Sequence, residues 1–271
     1  MNKNVSVLTF NIFYRDEGSG PPVILLHGLG GDGSRWGPNI RPLAADFRVI
    51  VPDQVGFGQS DKPLANYHYG MLAEFLARFM KAIEVPKASL VGNSMGAWVA
   101  IYFAVHYPQL LDRLVLVDGG NYRSAGQPVV ARDPYLRRIQ NSVTTEETRE
   151  FFQMMFHDKR FLTDRVIEEG LAMRLRSAYA IAKMQEASES GLGSVTEEQA
   201  RSIKARTLVV WGKYDRIVDP SVADRLHASI PGSQKVIIDN AGHLPQLEQF
   251  AEFNRIVKEF LKATDLTDST D

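Results

Sequence analysis

The chain has 271 residues and sets 31 Lys plus Arg against 32 Asp plus Glu, a formal net charge of −1. That balance carries no electrostatic footprint for nucleic acid or an anionic membrane surface, and 44% hydrophobic with 23% charged residues excludes wholesale disorder. The absence of cysteine excludes a disulfide scaffold, a Cys nucleophile, a thiolate zinc site and an iron–sulfur cluster together.

At the N-terminus Ser6, Thr9 and Asn11 break any apolar signal-peptide core. The most apolar stretch, Met95–Val105, is too short for a span of about 20 residues. A soluble cytoplasmic protein is the expectation. Val5–Thr9 and Asn11–Tyr14 form a hairpin or a pair of edge strands, ended by the turn-rich Glu17–Pro22. Short apolar runs then predict buried strands at Val23–Leu26, Val49–Val51, Ser89–Val91, Leu114–Val117, Leu208–Trp211 and Lys235–Ile238. Helical periodicity falls at Pro38–Ala45, Gly70–Ile83, Met95–His106, Ser221–Ser229 and Glu248–Leu261. This alternation predicts an α/β layer architecture with a mostly parallel sheet.

The alternation stops between about Asn121 and Arg206, where helical segments replace strands. Thr144 with Glu147 and Thr196 with Gln199 have capping-box spacing and predict helix starts near 145 and 197. The expected division is a core of residues 1–120 plus 205–271 and a helical cap of residues 121–204 over the sheet. Beyond Lys262 the tail is polar and expected to fray.

The loop after the first buried strand, His27-Gly28-Leu29-Gly30-Gly31-Asp32-Gly33, satisfies G-x-G-x-x-G, with Asp53 twenty residues after Gly33. On spacing alone this is a dinucleotide-binding fingerprint and admits a nicotinamide-dependent oxidoreductase. Asp32 puts a carboxylate where the pyrophosphate would lie, and Gly37-Pro38 falls where the fingerprint's helix should already run.

Gly92-Asn93-Ser94-Met95-Gly96 joins an apolar strand directly to an apolar helix, the setting of a nucleophile elbow. So tight a turn lifts a serine hydroxyl above the sheet, and the helix N-terminus aims N–H groups at a developing oxyanion. A serine hydroxyl needs a base. Of six histidines, His243 in Asn240-Ala241-Gly242-His243-Leu244-Pro245 follows the last strand, on the same sheet edge as Ser94. His27 reads as structural and His106 as a helix cap, while His68, His157 and His227 sit in polar, exposed settings. A carboxylate must hold the imidazole tautomer. Asp215, after Leu208–Trp211, is favoured, with Asp118 its rival after Leu114–Val117 and Asp219 a helix cap.

With these residues in view the chain resembles the α/β-hydrolase superfamily, serine-nucleophile branch. The resemblance rests on His27-Gly28, the segment Asp53-Gln54-Val55-Gly56-Phe57-Gly58-Gln59-Ser60-Asp61, the elbow, and the loops of Asp215 and His243. It implies a mostly parallel sheet of about eight strands under a cap, an oxyanion hole made by the N–H groups of Leu29 and Met95, and no cofactor or metal. It also implies that Asp53 structures a loop. Within the superfamily the chain is similar to carboxylesterases, and Asn93 and Met95 match carbon–carbon hydrolases of ring-fission products. Against the latter, Gly31-Asp32 replaces Pro-Gly, and Leu244 stands where an aromatic often follows the histidine. Arg174 and Arg176 are the candidates for a cap arginine that binds the acid. The favoured expectation is a serine hydrolase of small-molecule carboxylic esters. Carbon–carbon hydrolysis and a ligand-sensing binding protein on the same fold are the alternatives. Met154, Met155, Met173 and Met184, with Phe151, Phe152, Phe156 and Phe161 nearby, are the candidate substrate-pocket residues, because methionine re-packs around apolar groups.

Overall fold

The structure is a computed structural model and describes residues 1–120, 122, 134–141 and 143–263. In chain order, β1 (Asn2–Val7) and β2 (Phe10–Glu17) form a hairpin that turns at Leu8, whose φ is 58°. Then come β3 (Pro22–Leu26), α1 (Gly37–Ala44), β4 (Arg48–Pro52), α2 (Tyr69–Ala82), β5 (Ala88–Asn93), α3 (Met95–His106) and β6 (Leu111–Val117). Among the described residues five α-helices follow: α4 (Pro134–Gln140), α5 (Thr145–Met155), α6 (Asp164–Arg176), α7 (Ala178–Ser190) and α8 (Glu197–Arg201). The chain closes with β7 (Arg206–Gly212), α9 (Ser221–Ser229), β8 (Gln234–Ile238), α10 (Pro245–Glu248) and α11 (Phe250–Lys262).

The eight strands form one sheet in the order β1-β2-β4-β3-β5-β6-β7-β8. The β1–β2 and β2–β4 pairings are antiparallel, and every pairing from β4 through β8 is parallel. The apolar runs read from sequence are these parallel strands; β3 to β7 are covered on both faces, as such strands must be, while the edge strand β8 is half-exposed. Alternate residues go to opposite faces. Ile24, Leu26, Leu90, Leu114, Leu116, Val209 and Trp211 pack with α2, α3 and α9, while Val23, Leu25, Val91, Val115, Val117, Leu208 and Val210 pack with α1 and α11. The central helix α3 is buried along most of its length, which explains an apolar pattern without a polar face.

Both expected helix starts are present. Thr144 accepts the Glu147 N–H, and Thr196 with Gln199 makes a reciprocal capping box. A third cluster of Ile139, Phe151, Phe152, Phe156, Ile167 and Leu244 joins α4, α5 and α6 to the loop after β8. The expected frayed tail lies, but for Ala263, outside the described residues, as do residue 121 and residues 123–133 of the expected cap. Among the described residues no helix is long and apolar enough to cross a membrane.

Candidate active site

Parallel strands bring their carboxyl ends to one edge of the sheet, and four chemistry-bearing residues follow four neighbouring strands there: Ser94 after β5, Asp118 after β6, Asp215 after β7 and His243 after β8. Ser94 alone separates β5 from α3, at φ 52° and ψ −118°, a strained turn for a side-chain-bearing residue. The flanking glycines are imposed by contact. A Cβ on Gly92 would stand 2.3 Å from the Gly96 carbonyl oxygen, and one on Gly96 would stand 2.3 Å from that of Leu26.

Ser94 and His243 open onto one cavity of about 400 Å³, within the range of small-molecule sites. His243 Nδ1 is 2.7 Å from Asp215 Oδ2, and both side chains are buried. Asp215 Oδ1 accepts the N–H groups of Ile217 and Val218 at 2.7 and 3.0 Å, so its carboxylate is held from both oxygens. Asp118, the rival acid, instead accepts the Gly212 N–H at 2.9 Å through Oδ1. Asp219 accepts the Ser221 N–H and so serves the start of α9. Asn93 donates to the carbonyls of Val117 and His243, tying the Ser94 turn to the histidine loop.

The other histidines are placed by their hydrogen bonds. His27 is buried, with Nδ1 at 2.9 Å from the Gly28 carbonyl and Nε2 accepting the Gln54 N–H. His106 Nδ1 reaches the Tyr102 carbonyl. His68 departs from the exposed setting expected of it: its ring accepts the Met71 N–H and caps α2. His157 and His227 are exposed.

Gly28, Leu29 and Met95 line the cavity beside Ser94. Met95 opens α3, so its N–H has no intrahelical acceptor and remains a donor for a ligand oxygen. Both Asp53 oxygens are occupied, by the Gly33 and Gln59 N–H groups at 2.7 Å each. The hydrogen bonds give Asp53 the loop-bracing role that the resemblance implies, and the glycine loop borders the cavity. Asp118, Asp215 and His243 are the described acid and histidine cluster with metal-ligand spacing. His243 Nδ1 and both Asp215 oxygens are already taken up by hydrogen bonds inside and around that cluster.

Opposite the sheet edge, the helices after β6 contribute Gln140, Phe151, Phe152, Met155, Arg174, Met184 and Gln185 to the wall. Of the four expected methionines, Met155 and Met184 line the cavity. Met154 and Met173 do not; Met154 is half-buried against the Phe151–Phe156 cluster, where it serves packing. Of the two candidate arginines, Arg176 is exposed, whereas Arg174 is 4% exposed and lies over the Phe151 ring at 4.7 Å. Burial, with Arg35 nearby, pulls Arg174 down to about 10, so it stays charged at neutral pH. Arg35 lies over Phe152 at 5.2 Å on the same wall. Among the described residues no carboxylate pairs with either guanidinium, and Arg174 Nε is buried without a hydrogen-bond partner.

Three contributors carried little or no sequence signal. Arg35 is one of 31 basic residues, and Gln185 has no motif. Glu248, five residues after His243, accepts the Gly242 and Asp158 N–H groups at 2.7 Å each. The His243 N–H also donates to the Met155 carbonyl at 2.7 Å, so the end of α5 is clasped to the histidine loop.

Residues 21–250 match the family model described as alpha/beta hydrolase fold. The chain is 31% identical to a 2-hydroxy-6-oxo-6-phenylhexa-2,4-dienoate hydrolase of Burkholderia cepacia over 261 residues, 93% of this chain and 91% of the relative. Among solved structures it resembles the meta-cleavage product hydrolase CumD of Pseudomonas fluorescens, at TM-score 0.87 and 28% identity, covering 96% of this chain and 97% of that one. It is also similar to a bacterial membrane phospholipase A described as a virulence factor, at TM-score 0.84 and 29% identity, covering 96% and 85%.

Proposed function

The chain belongs to the α/β-hydrolase fold family, and from that premise we propose that it is a serine hydrolase cleaving a carbon–carbon bond beside a ketone in a substrate that carries a carboxylate. The observation that carries this reading is the cavity wall: a buried Arg174, without a carboxylate partner among the described residues, with Arg35 beside it, facing the space that Ser94 and His243 share. A buried cation without a counter-ion is costly unless its ligand supplies one. A dienoate is such a ligand, and the Burkholderia relative is named for one.

In this reading Ser94 Oγ adds to the ketone as His243 takes its proton, with Asp215 holding the imidazole. The N–H groups of Leu29 and Met95 receive the oxyanion, each worth a few kcal/mol in the transition state. The tetrahedral adduct breaks its carbon–carbon bond. The electron pair passes into the conjugated chain that ends at the carboxylate, and His243 returns a proton to that fragment. Water, deprotonated by His243, then frees the acyl group as an acid. Arg174 both positions the substrate and offsets negative charge spreading toward its carboxylate. The helices between β6 and β7 act as the cap, supplying Arg174, Phe151 and Met184.

Ester hydrolysis by the same three residues is the second reading. The 29% identity to a phospholipase A favours it, as do Gly31-Asp32 and Leu244 in the places described above. The two readings separate with Arg174→Leu. Carbon–carbon hydrolysis of an acidic ring-fission product should lose about 100-fold or more in kcat/KM, while a neutral p-nitrophenyl ester is spared. Equal effects on both substrates, together with faster turnover of the neutral ester by the wild-type protein, would move the assignment to esterase. Labelling by a fluorophosphonate at Ser94, mapped by mass spectrometry, tests the nucleophile under either reading.

A further inference from the structure

Asp118 ends β6 in the left-handed region, at φ 48°, and is fully buried. Its Oδ1 accepts the Gly212 N–H, but its Oδ2 is buried with no hydrogen-bond partner. An oxygen of Asp118, an oxygen of Asp215 and a ring nitrogen of His243 lie within 4.8 Å of one another. Asp215 offers only acceptor atoms, already engaged by Ile217, Val218 and His243. Two ionised carboxylates this close in a buried site repel strongly, and neither has a hydrogen to give the other. One proton resolves both problems.

We propose that Asp118 is protonated in the resting protein and donates a hydrogen bond from Oδ2 to the Asp215 carboxylate, which makes it a positioning residue for the Asp215–His243 pair. Burial first, and then the charge of Asp215, push the Asp118 carboxyl well above its ordinary range; the Gly212 N–H acts the other way without cancelling them. The titratable groups facing Asp118 are Asp215, His243 and Glu248, so every neighbouring charge except a protonated His243 opposes its ionisation. The consequence is chemical. With Asp118 neutral, the cluster presents one negative charge to the imidazole, enough to stabilise the imidazolium formed in the reaction. With Asp118 ionised, a second buried anion would hold His243 protonated and unable to accept the serine proton. The donated bond also fixes Asp215 from the β6 side, where Gly212 anchors Asp118 in turn.

The inference rests on Asp215 and His243 acting as orienting acid and base, and two measurements separate its failure from failure of that reading. Infrared difference spectra between wild type and Asp118→Asn at pH 8 need no turnover. The wild type should show the carbonyl band of a protonated carboxylic acid, and a carboxylate band in its place overturns the proposal. The second measurement is the pH dependence of Ser94 phosphonylation by a small fluorophosphonate. Asn can accept from Gly212, donate to Asp215 and adopt a positive φ, so Asp118→Asn should keep the acidic midpoint within about 0.3 pH unit. Asp118→Ala should slow the reaction about tenfold, with Asn restoring most of the loss. A midpoint lowered by about one unit in Asp118→Asn would mean that an anion had been removed and would sink the proposal. So would a folded Asp118→Ala protein with wild-type rate and profile. If Ser94 does not react at all, the hydrolase reading fails and the infrared band still decides where the proton resides.

Discussion

Ser94 occupies a backbone conformation that a serine adopts only when its surroundings impose it, between glycines packed too closely to carry a Cβ. Its replacement by alanine removes the hydroxyl and leaves that geometry in place. Ser94→Ala is expected to stay folded and to lose about 10⁴-fold or more in kcat, measured on the purified protein alongside its thermal melt. More than a tenth of wild-type activity would remove Ser94 as nucleophile. Asp215→Asn should cost about 10³–10⁴-fold, far more than Asp118→Asn, because Asp215 alone of the two bonds to His243 Nδ1. The reverse order in two equally stable variants would transfer the role to Asp118. Ser94 and His243 were legible in the sequence because a glycine-flanked elbow and a post-strand histidine are local patterns. Choosing between Asp118 and Asp215 needs a distance across three strand ends, which no local pattern encodes. Arg35 is hidden for the same reason: it becomes a site residue only when α6 brings Arg174 beside it.

Among the elements, the most informative is the clasp between α5 and the histidine loop. Glu248 satisfies two backbone N–H groups from segments 84 residues apart in the chain, counting from Asp158 to Gly242. Glu248→Leu leaves a buried and a part-buried donor without an acceptor and should destabilise the protein by about 3 kcal/mol. Urea unfolding measures this, and a shift under about 1 kcal/mol would show that water replaces the carboxylate. At the other end of the sheet, Asp16 in β2 takes Lys3 from β1 at 2.7 Å and Arg48 from β4 at 3.0 Å. Burial alone would raise its pKa; the bonds from Arg48 and Lys3 outweigh burial and hold it below the ordinary 3.8. A depressed carboxylate lends stability that is present above its unfolded value and lost as pH falls through its folded value. Asp16→Asn should therefore cost about 1 kcal/mol at pH 7. That deficit should vanish as the pH is taken below 3.8, which melting temperatures of both proteins across pH 2–7 would register. A deficit independent of pH would assign the effect to packing.

At the scale of the molecule, the cavity is a joint product of the sheet edge and the helices between β6 and β7. Each alone supplies half a wall: Ser94, His243, Leu29 and Met95 from one side, apolar surface and Arg174 from the other. Cap substitutions should accordingly change substrate preference without touching reactivity at Ser94. Met155→Ala and Met184→Ala are expected to shift kcat/KM between short and medium acyl groups by tens of fold, since one methylene contact is worth about 1–3 kcal/mol. Met154→Ala and Met173→Ala, away from the wall, should give profiles parallel to wild type. Parallel profiles in all four would reduce the methionines to packing, and a shift confined to Met154 or Met173 would mean that the cap rearranges around substrate.

The order of strands and helices, the layered architecture, the two capped helices at 145 and 197 and the elbow were determined by the sequence alone, because each follows from periodicity or from contacts within a few residues. So was the rejection of thiol chemistry, by composition. The glycine loop shows the limit of that reasoning. Its spacing matched a phosphate cradle; Asp32, Gly37-Pro38 and the family resemblance already spoke against one, and the Asp53 hydrogen bonds to Gly33 and Gln59 supply the physical reason. Tertiary structure also decided which acid meets His243, which methionines reach the cavity, and that Arg174 and Arg35 lie there without a carboxylate partner among the described residues. These outcomes depend on how far apart in space the ends of separate elements fall. That distance is set by the crossover packing of a parallel sheet, in which residues over a hundred positions apart become neighbours while their sequence surroundings carry no trace of it.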